Sequence, residues 1–164
     1  MIQPLEKYMR KALEAAITSA NNGDYGHGAV VIKDGEVLST GYEALKSGND
    51  PVNGHAEIDA IRKACQKLEQ PYLQDCVMYC TAEPCPMCMS AIIWAKLPAV
   101  VFAVTRDDMI EEMERLKQAS EGKFSWRQIA IPASYIVEHG EPKVELHPGF
   151  MRKEGLKLFE LTGK

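Results

Sequence analysis

Three side chains of this sequence are suited to hold one metal ion together: His55, Cys85 and Cys88. The two cysteines are spaced i and i+3, which puts both sulfurs on one face of a helix. They stand where a helix should begin, with Pro84 before them and Pro86 between them. Proline costs little at that point because the first N–H groups have no helical partner. Those free N–H groups and the helix dipole favour negative charge, which lowers a thiol pKa and prepares the thiolates that metals bind. One imidazole with two thiolates suits Zn2+ and leaves a fourth position open. An open position makes a site catalytic, since water can bind there and be activated. Glu57 follows His55 by two residues. In mid-helix that spacing is about 200° of rotation, which would separate the two side chains. At a first turn, His55 can point along the axis while Glu57 approaches the water from the side. A carboxylate so placed can take the water's proton and pass it to a substrate. Hydrolytic removal of an amino group from an amidine-type carbon is the reaction such a set can perform.

The elements that must position these residues are legible in outline. Residues 4–20 read as a helix, with Leu5, Met9, Leu13, Ala16, Ile17 and Ala20 as its apolar positions, stopped by Asn21-Asn22-Gly23. His27–Lys33 and Glu36–Tyr42 read as a hairpin around Asp34-Gly35. Residues 43–54 are rich in Gly, Asn, Asp and Pro and read as a loop. His55–Glu69 reads as a helix with Ile58, Ile61, Cys65 and Leu68 in one stripe and Ala56, Ala60 and Ala64 beside it. Val77–Thr81 reads as a strand, 85–96 as a helix and Ala99–Val104 as a buried strand. Asp107–Ala119 reads as an acidic helix, Ile129–Val137 as a last strand interrupted by Pro132, and Phe150–Leu161 as a terminal helix. A hairpin followed by alternating helix and strand implies an α/β sheet with helices on both faces, in one domain spanning 1–164.

Bulk composition narrows the function classes. Apolar residues at 46% and charged residues at 26% are ordinary for a globular chain. The net charge of −4 argues against a dedicated nucleic-acid binder, whose phosphate contacts need Lys and Arg. Lys143, Arg152, Lys153, Lys157 and Lys164 form the one sparse basic candidate. No stretch reads as a signal peptide or a membrane span. The odd count of five cysteines argues against a disulfide framework, so a cytoplasmic protein with reduced thiols is expected.

His55-Ala56-Glu57 with Pro84-Cys85-Pro86-Met87-Cys88 matches the zinc deaminase signature H-x-E…P-C-x-x-C. The longer run Thr81–Cys88, followed by Ser90-Ala91-Ile92, resembles the guanine deaminase and tRNA adenosine deaminase branch of the cytidine deaminase superfamily over roughly residues 5–105. The resemblance implies that His55, Cys85 and Cys88 ligate zinc and that Glu57 shuttles the proton. It also implies a three-layer α/β/α fold with a five-stranded mixed sheet, usually in a dimer or larger assembly, so a homodimer is expected. A guanine-like nucleobase or nucleoside is the favoured substrate. A tRNA-specific adenosine deaminase, or a deaminase of cytosine or another aminated heterocycle, is the alternative within the class.

The chain departs from that branch at two places. Where an Asn commonly follows the second strand and contacts the base, this chain has Glu43; the loop before His55 is one residue longer, and Asn53 is a candidate to replace the missing amide. Glu43, Asn53, Ala56 and His27 are therefore the candidate substrate contacts, with an exposed loop histidine the equal alternative for His27. The acidic run Asp107, Asp108, Glu111, Glu112 and Glu114 reads first as a solvated helix face and second as a source of a carboxylate for the N–H edge of guanine. Glu83 reads as a structural hydrogen-bonding residue, Cys65, Cys76 and Cys80 as core, and His139 and His147 as surface. Trp126, Phe150 and Phe159 read as core or interface, one of them a candidate to stack on the substrate. Against all of this stands one reading of a different class, a thiol oxidoreductase built on Cys85-x-x-Cys88. A structural zinc site would need a fourth ligand, from Cys76, Cys80 or His27.

Overall fold

The computed structural model describes residues 1–124, 126 and 128–162. Its strands are β1 (Gly28–Lys33), β2 (Glu36–Tyr42), β3 (Cys76–Ala82), β4 (Ala99–Val104) and β5 (Glu145–Pro148), hydrogen-bonded in the order β2-β1-β3-β4-β5. β1 is antiparallel to β2 and β3, whereas β3, β4 and β5 run parallel. The β1–β2 turn is the expected tight one: Asp34 and Gly35 both hold positive φ, at 51° and 79°, which matches the twist of a two-residue hairpin.

Side chains alternate across the sheet as a period of two requires. Val30, Ile32, Tyr79, Val101 and Ala103 face helix α1 (Glu6–Asn21), through its Met9, Ala12, Leu13 and Ala16, and also Leu158 near the C-terminus. Ala29, Val31, Met78, Val100 and Phe102 face the other layer, built by α2 (Ala56–Leu68) and α3 (Pro86–Trp94). Cys76 and Cys80 share that face with Met78, and both are buried core thiols. The three-layer α/β/α arrangement expected from the resemblance is the one observed.

The C-terminal third departs from expectation. Ile129–Val137 is not a strand: Pro132 caps helix α5 (Ala133–His139) instead. The fifth strand is the short β5, which pairs with β4 from Ala99↔Glu145 to Phe102↔Pro148. Helix α4 (Arg106–Ala119) begins with a capping box in which Thr105 and Asp108 bond each other's backbone N–H. Its Met109 and Met113 pack with Ala82, Val104 and Phe159 over the ends of β3 and β4. Helix α6 (Arg152–Lys157) and a 3-10 turn (Leu158–Glu160) complete the order.

Strand register decides where chemistry can gather. Gly28 pairs with Tyr42, Ala29 with Cys80 and Ala82 with Val104. The start of β1 and the ends of β2, β3 and β4 therefore lie along one edge of the sheet. The carboxyl ends of the parallel strands β3 and β4 lie on this edge, and α/β folds bind ligands outside such ends.

Candidate active site

The segments that leave this edge carry the titratable residues singled out above. His55 is the N-cap of α2, with extended φ and ψ of −77° and 135°, so its ring is free of the helical periodicity that governs Glu57. The start of α2 is drawn close to β2 by Gly41, where a Cβ would strike the Ala56 carbonyl and the Ala60 backbone. Cys85 is likewise the N-cap of α3, with Pro86 at the first helical position, and its Sγ accepts from the Cys88 N–H at 3.5 Å. Gly54 permits the turn that enters α2, because a Cβ there would meet the Asp50 carbonyl and the Leu45 N–H.

His55, Cys85 and Cys88 converge, with their ligand atoms all within 4.8 Å of one another. His55 Nδ1 stands 3.8 Å from Cys85 Sγ and 3.5 Å from Cys88 Sγ. A tetrahedral zinc with ordinary Zn–N and Zn–S bonds places such donors about 3.6 Å apart. The donor set fits a single ion in chemistry and in spacing. Glu57 is buried, and its Oε2 accepts from Cys88 Sγ at 3.5 Å, so the carboxylate borders the same cluster.

Charge within the cluster is divided. The Cys88 hydrogen bond, then the neighbouring imidazolium, lowers the Cys85 pKa to about 4. The Cys85 partner raises His55 to about 9. Hydrogen bonding to Cys85 and burial push Cys88 well above the usual thiol range. A cation entering the cluster must therefore displace the protons of His55 and Cys88. Burial raises the Glu57 carboxyl as well.

Beside the cluster opens a cavity of about 440 Å³, lined by His27, Glu43, His55, Glu57, Arg106 and Trp126 among others. That is the size range of small-ligand sites. His27 belongs to its wall, and burial lowers its pKa to about 4, so it is neutral at physiological pH. Glu43 also lines it; burial raises its carboxyl to about 8, and its Oε2 accepts the Ala56 N–H at 3.3 Å. Ala56 thus meets Glu43 through its backbone and is not part of the lining. Asn53 is exposed and does not reach the cavity: its N–H and side-chain amide both bond Asp50, at 2.8 and 3.1 Å. None of the acidic residues of α4 lines the cavity; Arg106 and Met109 do.

Other residues fall into structural roles. Glu83 is a brace, accepting the backbone N–H of Arg106 at 2.6 Å and of Ala133 at 2.7 Å. His147 is not a partnerless surface residue, since its Nε2 meets Glu145 at 2.6 Å. Asp108 is buried and paired with Arg152 at 2.6 Å, so it is no part of a solvated face. Of the basic candidates, Arg152 is engaged in that pair and Lys143 folds back on the carbonyls of Val137, Glu138 and Gly140; Lys164 lies outside the described residues. Sequence reasoning missed Arg106 and Gln128, both in the cavity wall, because no motif or periodicity marks them.

Comparison with known proteins agrees with this geometry. Residues 4–131 match the MafB19-like deaminase family, well past residue 105, where the sequence resemblance faded. The guanine deaminase of Bacillus subtilis (strain 168) is 38% identical over 129 residues, 78% of each chain. A tRNA-specific adenosine deaminase of Aquifex aeolicus (strain VF5) is 35% identical over 98 residues, 60% of this chain and 64% of that one. The solved guanine deaminase of Nitrosomonas europaea is 21% identical, with a TM-score of 0.75 over 98% of this chain and 85% of that one, which extends the shared fold to the C-terminal elements.

Proposed function

We propose, for a chain that belongs to the MafB19-like deaminase family, that it hydrolyses the exocyclic amino group of a guanine-like nucleobase or nucleoside. The observation that carries this reading is the convergence of His55, Cys85 and Cys88 beside the buried Glu57 in the wall of a cavity of about 440 Å³. Family membership sets aside the thiol oxidoreductase alternative, and the spacing of the Cys85-x-x-Cys88 sulfurs from His55 supports a ligand's role for the pair.

His55, Cys85 and Cys88 would hold a zinc ion. Bound there, it supplies a Lewis acid that makes water acidic enough to attack at neutral pH. Glu57 accepts the proton released as the oxygen adds to the aminated carbon. It passes that proton to the ring nitrogen, then takes the second proton from the added hydroxyl and gives it to the departing amine, leaving a keto ring and ammonia. The apolar walls from Leu45, Met87, Met109 and Trp126 keep bulk water from the reacting carbon. The net charge of −4 and the engaged basic side chains favour a free base or nucleoside over tRNA. A cytoplasmic homodimer working as one domain per chain is the accompanying proposal; no helix among the described residues is long and apolar enough to cross a membrane.

Ammonia release from zinc-loaded protein, tested with guanine, adenine, cytosine, their nucleosides, pterins and triazines, decides the matter. Guanine or guanosine as the fastest substrate supports the reading. No ammonia from any ring overturns it.

A further inference from the structure

Two buried polar atoms in the cavity wall have no hydrogen-bond partner among the described residues: Arg106 Nε and Gln128 Oε1. Asp24 Oδ2 is also unpartnered but does not line the cavity. Buried polar groups are almost always paired, and leaving one unpaired carries a penalty. Arg106 is 6% exposed and is held at its base and at its tip. Its backbone N–H bonds Glu83 Oε2 at 2.6 Å and its Nη2 bonds the Glu83 carbonyl at 3.2 Å. That leaves Nε as a fixed, positively charged donor with nothing to give to among the described residues. Gln128 contributes the opposite capacity, an acceptor with nothing to receive.

We propose that Arg106 and Gln128 form a donor–acceptor pair that reads the lactam edge of the substrate, with Arg106 donating to a ring keto oxygen and Gln128 accepting from the adjacent ring N–H. This rests on the cavity being the substrate site of the deaminase described above. The pairing follows from complementarity. A guanidinium donor prefers a keto oxygen to a neutral ring nitrogen, since the oxygen carries more negative charge. A carboxylate or phosphodiester would satisfy Arg106 but offers no hydrogen to Gln128 at neutral pH. Adenine has no keto oxygen, and its one exocyclic group is the amino group that must face Glu57. Guanine and pterins carry both an amino group and a lactam. The pair therefore narrows the substrate class to aminated rings that already bear a keto oxygen.

Binding can be read without turnover. Hypoxanthine and purine differ at the keto oxygen and adjacent N–H, so the ratio of their dissociation constants on zinc-loaded protein, measured by titration calorimetry, reports the pair directly. The expected ratio is at least about tenfold in favour of hypoxanthine, the worth of one charge-assisted hydrogen bond. Arg106→Met and Gln128→Leu should each move the ratio toward one, mainly by weakening hypoxanthine, with zinc content unchanged. A ratio of one in the parent protein, or the same ratio in parent and variants, overturns the proposal. Should Arg106→Met fold poorly, Gln128→Leu decides, because Gln128 lies outside every helix and strand. The two readings fail separately. Selective hypoxanthine binding without ammonia release sinks the deaminase reading alone, and ammonia release with a ratio of one sinks the lactam pair alone.

Discussion

Glu83→Ala should destabilise the protein more than any single exposed substitution. Glu83 is 7% exposed, and its two oxygens accept one backbone N–H each, from Arg106 at 2.6 Å and Ala133 at 2.7 Å. The side chain thereby ties the end of β3 to the starts of α4 and α5. Alanine leaves both N–H groups buried and unpaired. A hydrogen bond to a charged partner contributes about 1.5–3 kcal/mol, so the pair is worth about 3–6 kcal/mol. That is a large part of the roughly 5–15 kcal/mol that stabilises a typical domain. Glu83→Gln keeps one acceptor oxygen and should cost about half as much. Urea denaturation followed by circular dichroism measures both; with an m-value of about 2 kcal/mol/M the alanine midpoint should fall by about 1.5–3 M. A loss below about 1 kcal/mol for alanine would show that water or a backbone shift satisfies the two donors, and the brace would not be one.

Glu57→Gln should keep zinc and lose about 10²–10⁴-fold in ammonia release, since the ligands survive and the proton carrier does not; metal analysis beside a rate assay checks it, and near-normal turnover refutes the role. Cys88→Ala should lose stoichiometric zinc and lower the melting temperature, because a bound ion favours the folded state; retained zinc at one per chain contradicts it. The Asp108–Arg152 pair gives a pH signature. Arg152 holds the Asp108 carboxyl below its ordinary range, so the stabilisation is present above the unfolded value of about 4 and disappears as pH falls through the folded one. The stability gap between the parent and Arg152→Met should therefore be larger at pH 6 than at pH 3, and a gap that grows on acidification refutes it.

Residues at the starts of helices made the cluster of His55, Cys85 and Cys88 legible. His55 and Cys85 are both N-caps, so their side chains answer to local turn geometry, which short motifs record. The Asp34-Gly35 hairpin was legible for the same reason, a demand for positive φ met by the residues present. The fifth strand was not. Glu145–Pro148 has one aliphatic residue, Leu146, and is ordered by pairing with β4, whereas the apolar alternation at Ile129 and Ile131 leads into a helix capped by Pro132. Asn53 illustrates a different limit: the sequence shows an amide near the site but not that Asp50 already holds it. Arg106 and Gln128 acquire their unpaired atoms only through tertiary burial, so no spacing along the chain could have named them.

X-ray absorption at the zinc edge tests the central claim most directly. A single zinc surrounded by two sulfurs at about 2.3 Å and two lighter atoms at about 2.0 Å is the expected result, the lighter pair being the His55 nitrogen and a water oxygen. A shell of four sulfurs, or one without sulfur, would contradict it.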